Sequence, residues 1–373
     1  MTAPLRIPLS DFRASPADIA AVTRTLESGW VTAGPQSRAL EETIAARLGA
    51  AHAALVSSCT AGLHLAMLAA DIGAGDEVII PAITFVATAS AVHFAGATPV
   101  LADVKGKHDL GIDVDDVARR ITPRTRAICA MHYAGYSVDM SALRRLCDEH
   151  DLLLIEDAAH HPTAPMLGDI TCLSFFTNKV LACGEGGLFA TNDGQIAERA
   201  RSLLSHGVTR STWARHQSAN VEYDIAEFGL NYRFDDLRAS LLASRLSQLD
   251  GEIQSRRGLV HRYRERLKKV SAAIVPYRDG DVERSSCYVM PILLEDGIDR
   301  DQVRRSMREV HGIQTSVLYP ALHQLRAWPA ALGKKGLANA EFVARHQLTL
   351  PLYGHLAPDQ VDEVVDTLHL VAS

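Results

Sequence analysis

One lysine of the chain stands where an apolar segment meets a glycine turn. Lys179 follows Ser174-Phe-Phe-Thr-Asn and precedes Gly184-Glu-Gly-Gly187. A partly desolvated amine is a good nucleophile, so a lysine in this setting can form an imine with a carbonyl compound. The alternative is a solvated surface lysine beside a glycine hairpin.

An acid follows another apolar run upstream of this lysine. Leu152-Leu-Leu-Ile155 leads directly into Glu156-Asp157-Ala-Ala-His160. A continuous apolar run is typical of a buried parallel strand, and open α/β sheets bind ligands at the carboxyl ends of such strands. Asp157 and Lys179 are therefore candidates for a single ligand site.

This pair of side chains indicates pyridoxal 5′-phosphate (PLP). PLP needs a lysine for its imine and an acid against its ring nitrogen, because the protonated ring draws off the electrons of a substrate carbanion. Its phosphate also needs a site, and Ser57-Ser58-Cys59-Thr60-Ala61 precedes an apolar helical pattern. N–H groups at a helix start bind a dianion. Taken alone, these hydroxyls favour ordinary helix N-capping.

A succession of further motifs accompanies these residues along the chain. In order they are Ser58-Cys-Thr-Ala61, Gly75-Asp-Glu-Val-Ile-Ile-Pro81, Thr84-Phe-Val-Ala-Thr88, Gly96-Ala-Thr-Pro99, Glu156-Asp-Ala-Ala-His160, Lys179 with Gly184-Glu-Gly-Gly187, and Gly229-Leu-Asn-Tyr-Arg233. The succession resembles the DegT/DnrJ/EryC1/StrS family of PLP-dependent sugar aminotransferases, over nearly the whole chain. The resemblance implies a transaminase of the fold-type I, aspartate aminotransferase-like class.

The resemblance also implies how the cofactor is held. Lys179 and Asp157 take the catalytic roles, Phe85 stacks on the pyridine ring, and His160 lies near the phenolic oxygen of PLP. The implied phosphate contacts are Ser174, Thr60, Ala61 and Cys59. For Phe85 the alternative is a core phenylalanine, because aromatic residues are commonly buried.

Assembly as a homodimer with shared active sites is a further implication of the resemblance. Asn231 is expected to reach the phosphate of the neighbouring subunit's cofactor. The loop Val208–Tyr223, with Arg210, Trp213 and His216, resembles a segment that covers the partner's site. An exposed polar loop is the alternative for this segment.

The implied reaction moves an amino group from L-glutamate to a nucleotide-linked keto sugar. Lys179 is expected to move the protons, and the cofactor is expected to pass through its pyridoxamine 5′-phosphate (PMP) form. The implied substrate contacts are Trp30, Thr32, Arg233, Tyr319 and His323.

Other reactions of the same family stay open at this point. A branch that removes a hydroxyl carries histidine in place of Lys179, which favours transamination here. A branch that aromatises a cyclic keto acid to an aminohydroxybenzoate keeps the lysine. A branch that aminates keto-inositols tends to have a longer chain, so 373 residues favour the nucleotide sugar. A non-catalytic PLP-binding regulator is a further alternative. Segment 161–173 is shorter than the usual version by several residues, which leaves the contacts at the site entrance open.

Composition argues against several other classes of protein. The chain has 373 residues, 47% of them hydrophobic, enough for a large core and two domains. A net charge of -6 argues against nucleic-acid binding. No apolar stretch approaches the ~18 residues of a membrane span, and the start lacks a signal core, so we expect a cytoplasmic protein that does not contact membranes. The six cysteines lack metal-ligand spacing, so we expect free thiols and no metal site.

Alternating apolar runs and helical patterns predict an α/β fold with a mainly parallel sheet and helices on both faces. A capping box at Ser15–Asp18 is expected to open the first helix. The predicted strands are 53–56, 77–80, 99–102, 127–131, 152–155, 172–176 and 188–191. Predicted helices between them start near 61, 85, 115 and 141.

The last third of the chain has a different pattern. One long helix is predicted over 234–270, followed by strands at 288–294 and 315–318 and helices at 301–310 and 338–348. The resemblance implies a small α+β domain here. We therefore divide the chain into a large PLP-binding domain with an N-terminal arm, 1–245, and a small C-terminal domain, 246–373.

Overall fold

Helices and strands alternate through the first half of the chain. The computed structural model describes residues 3–208, 213, 223–329, 332–333 and 336–372. Its helices are α1 (Pro16–Glu27), α2 (Pro35–Leu48), α3 (Cys59–Ala69), α4 (Val86–Phe94), α5 (Val114–Arg120), α6 (Met140–His150), α7 (Gly194–Leu203), α8 (Asp236–Leu246), α9 (Leu249–Leu267), α10 (Asp279–Val282), α11 (Arg300–Glu309), α12 (Ala338–His346) and α13 (Pro358–Val371).

The strands fall into three sheets. They are β1 (His52–Val56), β2 (Glu77–Pro81), β3 (Thr98–Ala102), β4 (Val104–Gly106), β5 (Asp109–Ile112), β6 (Thr125–Met131), β7 (Leu153–Asp157), β8 (Ile170–Ser174), β9 (Gly187–Thr191), β10 (Ala273–Ile274), β11 (Met290–Leu294) and β12 (Gln347–Leu350). Every strand predicted before residue 200 is present.

A seven-stranded sheet in the described residues has the order β1-β9-β8-β7-β6-β2-β3. Six of these strands run in one direction and β9 runs in the opposite direction, which confirms the mainly parallel arrangement. In the register, Asp157 of β7 lies opposite Met131 of β6 and Cys172 of β8. Because β7 and β8 are parallel, Asp157 and Ser174 end at the same edge of the sheet.

Side chains that alternate along the strands fill two apolar layers, one on each face of this sheet. Ile80 belongs to the larger cluster and its neighbour Ile79 to the smaller one, which includes residues of α5 and α6. Both side chains are fully buried, and burial of each contributes roughly 1.5–3 kcal/mol. Helices therefore cover both faces, as predicted.

Local signals explain where several helices begin and end. The Ser15 hydroxyl accepts the Asp18 N–H, and the Asp18 carboxylate accepts the Ser15 N–H, so the predicted capping box is confirmed. The long helix predicted over 234–270 is instead two helices, because α8 ends at Leu246 and α9 begins at Leu249. Ser247 donates its hydroxyl to the Ser244 carbonyl, and such side-chain bonds compete with the helical backbone pattern.

The C-terminal part contains the antiparallel sheet β10-β11-β12. The strand predicted at 315–318 is wrong, because Ser316 forms only an isolated bridge with Thr349. The short hairpin β4–β5 was not predicted, since its polar sequence lacks a clear apolar alternation. The described helices include none with the length and apolar character of a membrane span. The boundary at residue 245 stays a prediction.

Candidate active site

A cavity of about 450 Å³ opens at the carboxyl edge of β7 and β8. This size lies within the range of small-molecule pockets. Predicted site residues that line it are Cys59, Thr60, Phe85, Asp157, His160, Ser174, Lys179 and Tyr319. Folding thus brings together residues that are up to 260 positions apart.

Asp157 lies at the base of this cavity and is only 2% exposed. Thr88 donates its hydroxyl to one carboxylate oxygen at 2.9 Å, and the Ala159 N–H donates to the other at 3.2 Å. Burial raises the pKa of Asp157, although these hydrogen bonds and the Lys179 charge oppose the shift. A cationic ring nitrogen beside this carboxylate would compensate for its burial. Thr88 was not among the predicted site residues, although its motif was recognised.

Lys179 enters the cavity from the segment after β8. Its backbone N–H donates to the Phe176 carbonyl at 2.8 Å. Its side-chain Nζ lies 4.3 Å from the centroid of the Tyr288 ring. The Tyr288 hydroxyl donates to Asn178 Oδ1 at 3.1 Å. Tyr288 was not predicted as a site residue. It stands at the start of a predicted strand, and that position does not indicate which residues its ring contacts.

The start of α3 forms the wall of the cavity that is suited to a phosphate. Ser58 caps the helix, and its hydroxyl accepts the Ala61 N–H at 3.1 Å. Cys59 and Thr60 occupy the first turn, where unpaired N–H groups and the helix dipole favour an anion. A Cβ on Gly187 would lie 2.4 Å from the Ser58 carbonyl carbon. Glycine is therefore required there for β9 to pack against this turn.

Aromatic rings form the opposite wall. Phe85 is 48% exposed and lies 5.4 Å from Tyr319, ring centroid to ring centroid, so its ring lies at the cavity rather than in the core. His160 Nδ1 accepts the Ala134 N–H at 3.2 Å, and its Nε2 lies 3.0 Å from the Tyr319 hydroxyl. Burial lowers the pKa of His160 well below its ordinary value. A neutral ring with Nδ1 as acceptor carries its proton on Nε2, so His160 donates to Tyr319.

Glu156 organises the short segment that was noted in the sequence. Its buried carboxylate accepts hydrogen bonds from the Leu167 and Gly168 N–H groups and from the Thr171 hydroxyl, and His132 Nε2 lies 3.0 Å away. Burial acts to raise the pKa of Glu156, but these bonds, led by that of His132, lower it overall. Segment 161–173 is thereby tied to the end of β7.

Several predicted site residues lie away from this cavity within the described chain. Thr32 and Arg233 line a second cavity of about 230 Å³ together with Trp213. The Trp30 ring packs against Trp213 with centroids 4.6 Å apart, and Asn231 is exposed next to Arg233. Arg210 and His216 lie outside the described residues.

Two other predicted contacts are buried. Ala61 lies beneath the first turn of α3, where its N–H is bonded to Ser58 rather than directed into the cavity. His323 is 3% exposed, and its Nε2 lies 3.4 Å from the Glu341 carboxylate. It does not line the main cavity, although Tyr319 of the same motif does.

The residues around the main cavity fit PLP. One wall offers a helix start for the phosphate, the base offers a buried carboxylate, and a lysine amine and an exposed aromatic ring complete the set. The described residues contain no group of three or more His, Cys, Asp or Glu side chains that could hold a metal.

Comparisons with known proteins agree with this chemistry. The sequence model of the DegT/DnrJ/EryC1/StrS aminotransferase family matches residues 13–369. The spore coat polysaccharide biosynthesis protein SpsC of Bacillus subtilis (strain 168) is 34% identical over 363 residues, covering 94% of this chain and 93% of SpsC.

Solved structures show the same architecture. The putative sugar aminotransferase Spr1654 of Streptococcus pneumoniae, in its PMP form, has a TM-score of 0.91 at 26% identity and covers 98% of this chain and 99% of its own. Spr1654 has also been solved in a PLP form. DesI, solved in the presence of its TDP-sugar product, has a TM-score of 0.86 at 29% identity and covers 99% of this chain and 93% of its own.

The fold-type I transferase architecture expected from the sequence is therefore confirmed. Together, the family match over nearly the full length, the shared fold and the lysine–aspartate cavity lead to one conclusion: the chain belongs to the DegT/DnrJ/EryC1/StrS aminotransferase family.

Proposed function

We propose that this protein is a PLP-dependent aminotransferase that moves an amino group from L-glutamate to a nucleotide-linked keto sugar. The observation that carries the proposal is the convergence of Lys179, Asp157 and the α3 N-terminus on one cavity. The likeness to DesI, which was solved with a TDP-sugar product, supports a nucleotide sugar as the acceptor.

The side chains of the cavity divide the chemical work between them. When bound, PLP supplies an electron sink for the carbon that carries the amine. Asp157 keeps the charge on the ring nitrogen, and Thr88 fixes the orientation of that carboxylate. Lys179 Nζ takes the proton from the α-carbon of L-glutamate in the first half-reaction and gives a proton to the sugar carbon in the second. Such a general acid–base group contributes on the order of 10²–10⁴ in rate.

We propose a homodimer in which each subunit completes the other's active site. Trp30, Thr32, Asn231 and Arg233 lie away from the cavity of their own chain, so they are available to the cavity of a neighbour. Phe228 is fully exposed close to them in sequence, and large exposed apolar side chains are common where subunits meet. His323 acts indirectly in this proposal, by supporting the segment that carries Tyr319.

The same proposal includes the division into domains 1–245 and 246–373. The seven-stranded sheet lies in the first and the three-stranded sheet in the second, and Tyr288 and Tyr319 of the second contribute to the cavity. A cytoplasmic location suits the six cysteines, all of which are buried and unpaired.

Amino transfer from ¹⁵N-labelled L-glutamate tests this function. The protein is incubated with nucleotide-linked keto sugars, and mass spectrometry is expected to find ¹⁵N in a nucleotide amino sugar, with no product from Lys179→Arg. Consumption of a cyclic keto acid or keto-inositol without any amino sugar would point to the other reactions of the family. A PLP spectrum that does not respond to L-glutamate would favour a non-catalytic regulator.

A further inference from the structure

Tyr288 is the aromatic residue that lies against the reactive lysine. Its ring centroid is 4.3 Å from Lys179 Nζ, a separation at which the negative face of an aromatic ring attracts an ammonium group. The hydroxyl of the same side chain donates to Asn178 Oδ1, next to the lysine in sequence. The residue thus contacts both the lysine amine and the segment that carries it.

The position of this ring is fixed from several sides. Tyr288 is 3% exposed, its N–H donates to the Ala134 carbonyl at 3.2 Å, and its carbonyl accepts Arg256 Nη1 at 3.1 Å. Arg256 is itself buried and is held by Glu252. The His160 ring packs on Tyr288 with centroids 4.2 Å apart. A ring held in this way offers a preorganised face rather than a mobile contact.

We propose that Tyr288 is a positioning residue whose ring face holds the Lys179 ammonium while that lysine carries the migrating proton. The attraction acts on the charged amine and hardly at all on the neutral one, because it arises between a cation and the ring quadrupole. This inference rests on the proposed role of Lys179 as the proton carrier.

The consequence concerns the rate of proton transfer. Lys179 becomes an ammonium only as it takes the proton from the donor carbon, so the ring stabilises a charge that develops during the step. An interaction that is stronger in the transition state than in the ground state accelerates the step. Loss of the ring should slow proton transfer roughly 5- to 30-fold, which corresponds to about 1–2 kcal/mol at 1.36 kcal/mol per tenfold change.

Two variants separate the ring from the hydroxyl. Tyr288→Phe keeps the aromatic face and loses the bond to Asn178, whereas Tyr288→Leu loses both. Tyr136→Leu is the matched control, because Tyr136 is also buried but stacks on Tyr277 at 4.0 Å. The rate is measured as deuterium entry from D₂O into the α-carbon of L-glutamate, with the dissociation constant of PLP measured alongside.

The expected pattern is specific to a role of the ring. Tyr288→Leu should lose roughly 5- to 30-fold in α-deuteration, Tyr288→Phe and Tyr136→Leu less than about threefold, and PLP affinity should stay within about threefold in all of them. Equal losses in the Phe and Leu variants would overturn the inference in favour of the hydroxyl. Absence of deuteration in the wild-type protein would instead count against the proposed function.

A spectroscopic measurement tests the geometry without catalysis. In the PMP-loaded protein labelled with [ε-¹³C]lysine, the Lys179 ε-methylene protons should be shifted upfield by the ring current of Tyr288. The resonance is assigned by its loss in Lys179→Arg. It should persist in Tyr288→Phe and move to an ordinary position in Tyr288→Leu. An ordinary position in the wild-type protein would overturn the inference even if amino transfer is found.

Discussion

Burial disfavours the charged form of the Asp157 carboxyl. Its pKa is raised by burial, so the folded, cofactor-free protein binds this proton more tightly than the unfolded chain does. The stability that follows is fully present at low pH and is lost as the pH rises through the raised pKa. A site prepared for a cation thus makes the empty protein less stable, a common trade-off at functional sites.

Asp157→Asn should therefore increase the stability of the cofactor-free protein and weaken the binding of PLP. As the pH rises from the acidic range to neutrality, the difference in Tm between the variant and the wild type should increase in favour of the variant. PLP affinity should fall about 10- to 100-fold, because a hydrogen bond to a charged group is worth ~1.5–3 kcal/mol. Calorimetry over a pH series and PLP titration measure the two effects.

Asp103→Asn provides the control for this prediction. Burial also raises the pKa of Asp103, but Asp103 bonds the N–H groups of Asn339 and Ala340 and does not line the cavity. This variant should keep normal PLP affinity. If the Tm of the wild type instead rises relative to that of Asp157→Asn toward neutral pH, burial of the Asp157 charge does not destabilise the cofactor-free protein.

At the scale of residues, the sequence predicted groups at strand ends better than groups that face across the fold. Asp157 and Lys179 could be predicted because strand ends and glycine turns leave local signals, whereas Ser174 was implied only by the family resemblance. Tyr288 contacts Lys179 although the two residues are more than 100 positions apart in the sequence. No local sequence pattern predicts such a contact. The proton on His160 Nε2 likewise depends on the Ala134 N–H.

At the scale of elements, the start of α3 combines a helix cap with the proposed phosphate site. Ser58→Ala removes the bond to the Ala61 N–H and should cost about 1 kcal/mol of stability. Because the N-terminus of α3 is less well ordered without its cap, the affinity for PLP should fall about fivefold. The affinity for pyridoxal, which lacks the phosphate, should change little. Fluorescence titration with both ligands measures the difference.

The control is another cap, remote from the cavity. Asp193 caps α7 through bonds to the Gln195 and Ile196 N–H groups. Asp193→Ala should cost similar stability and leave the affinities for both ligands unchanged. Equal losses of PLP and pyridoxal affinity in Ser58→Ala would refute a phosphate role for this turn.

Helices and strands could be predicted from the sequence where their burial produces a simple pattern of apolar residues. The strands of the large sheet are fully or largely buried, so their continuous apolar runs gave bounds within a few residues. At the interruption between α8 and α9 the Ser247 hydroxyl donates to the Ser244 carbonyl, a contact that a helical period does not reveal. Glu156 holds segment 161–173 after β7 by accepting hydrogen bonds from backbone N–H groups, and the residue types alone do not specify such contacts.

At the scale of the whole molecule, the proposed sharing of active sites between two subunits leads to a complementation prediction. Lys179→Ala and Asn231→Ala should each be nearly inactive when pure. In a mixed dimer, one site keeps Lys179 from one chain and Asn231 from the other. The mixed dimer should have roughly half of the wild-type activity, because one of its two sites is complete. Activity after co-expression and purification of the doubly tagged dimer measures this effect.

Complementation fails if each chain builds its site alone. In that case every site of a mixed dimer lacks one of the two residues, and the mixture stays as inactive as its components. The matched control pairs wild type with a chain that is altered at both residues. Shared sites make this doubly tagged dimer inactive, whereas sites built within one chain leave it with roughly half of the wild-type activity.

The imine between PLP and Lys179 is the link on which the whole account depends, and borohydride trapping measures it directly. The protein is reconstituted with PLP, reduced, digested and analysed by peptide mass spectrometry. We expect a phosphopyridoxyl group on the peptide that contains Lys179, and no such group in Lys179→Arg. A reduced protein without this group, or with the group on a different lysine, would contradict it.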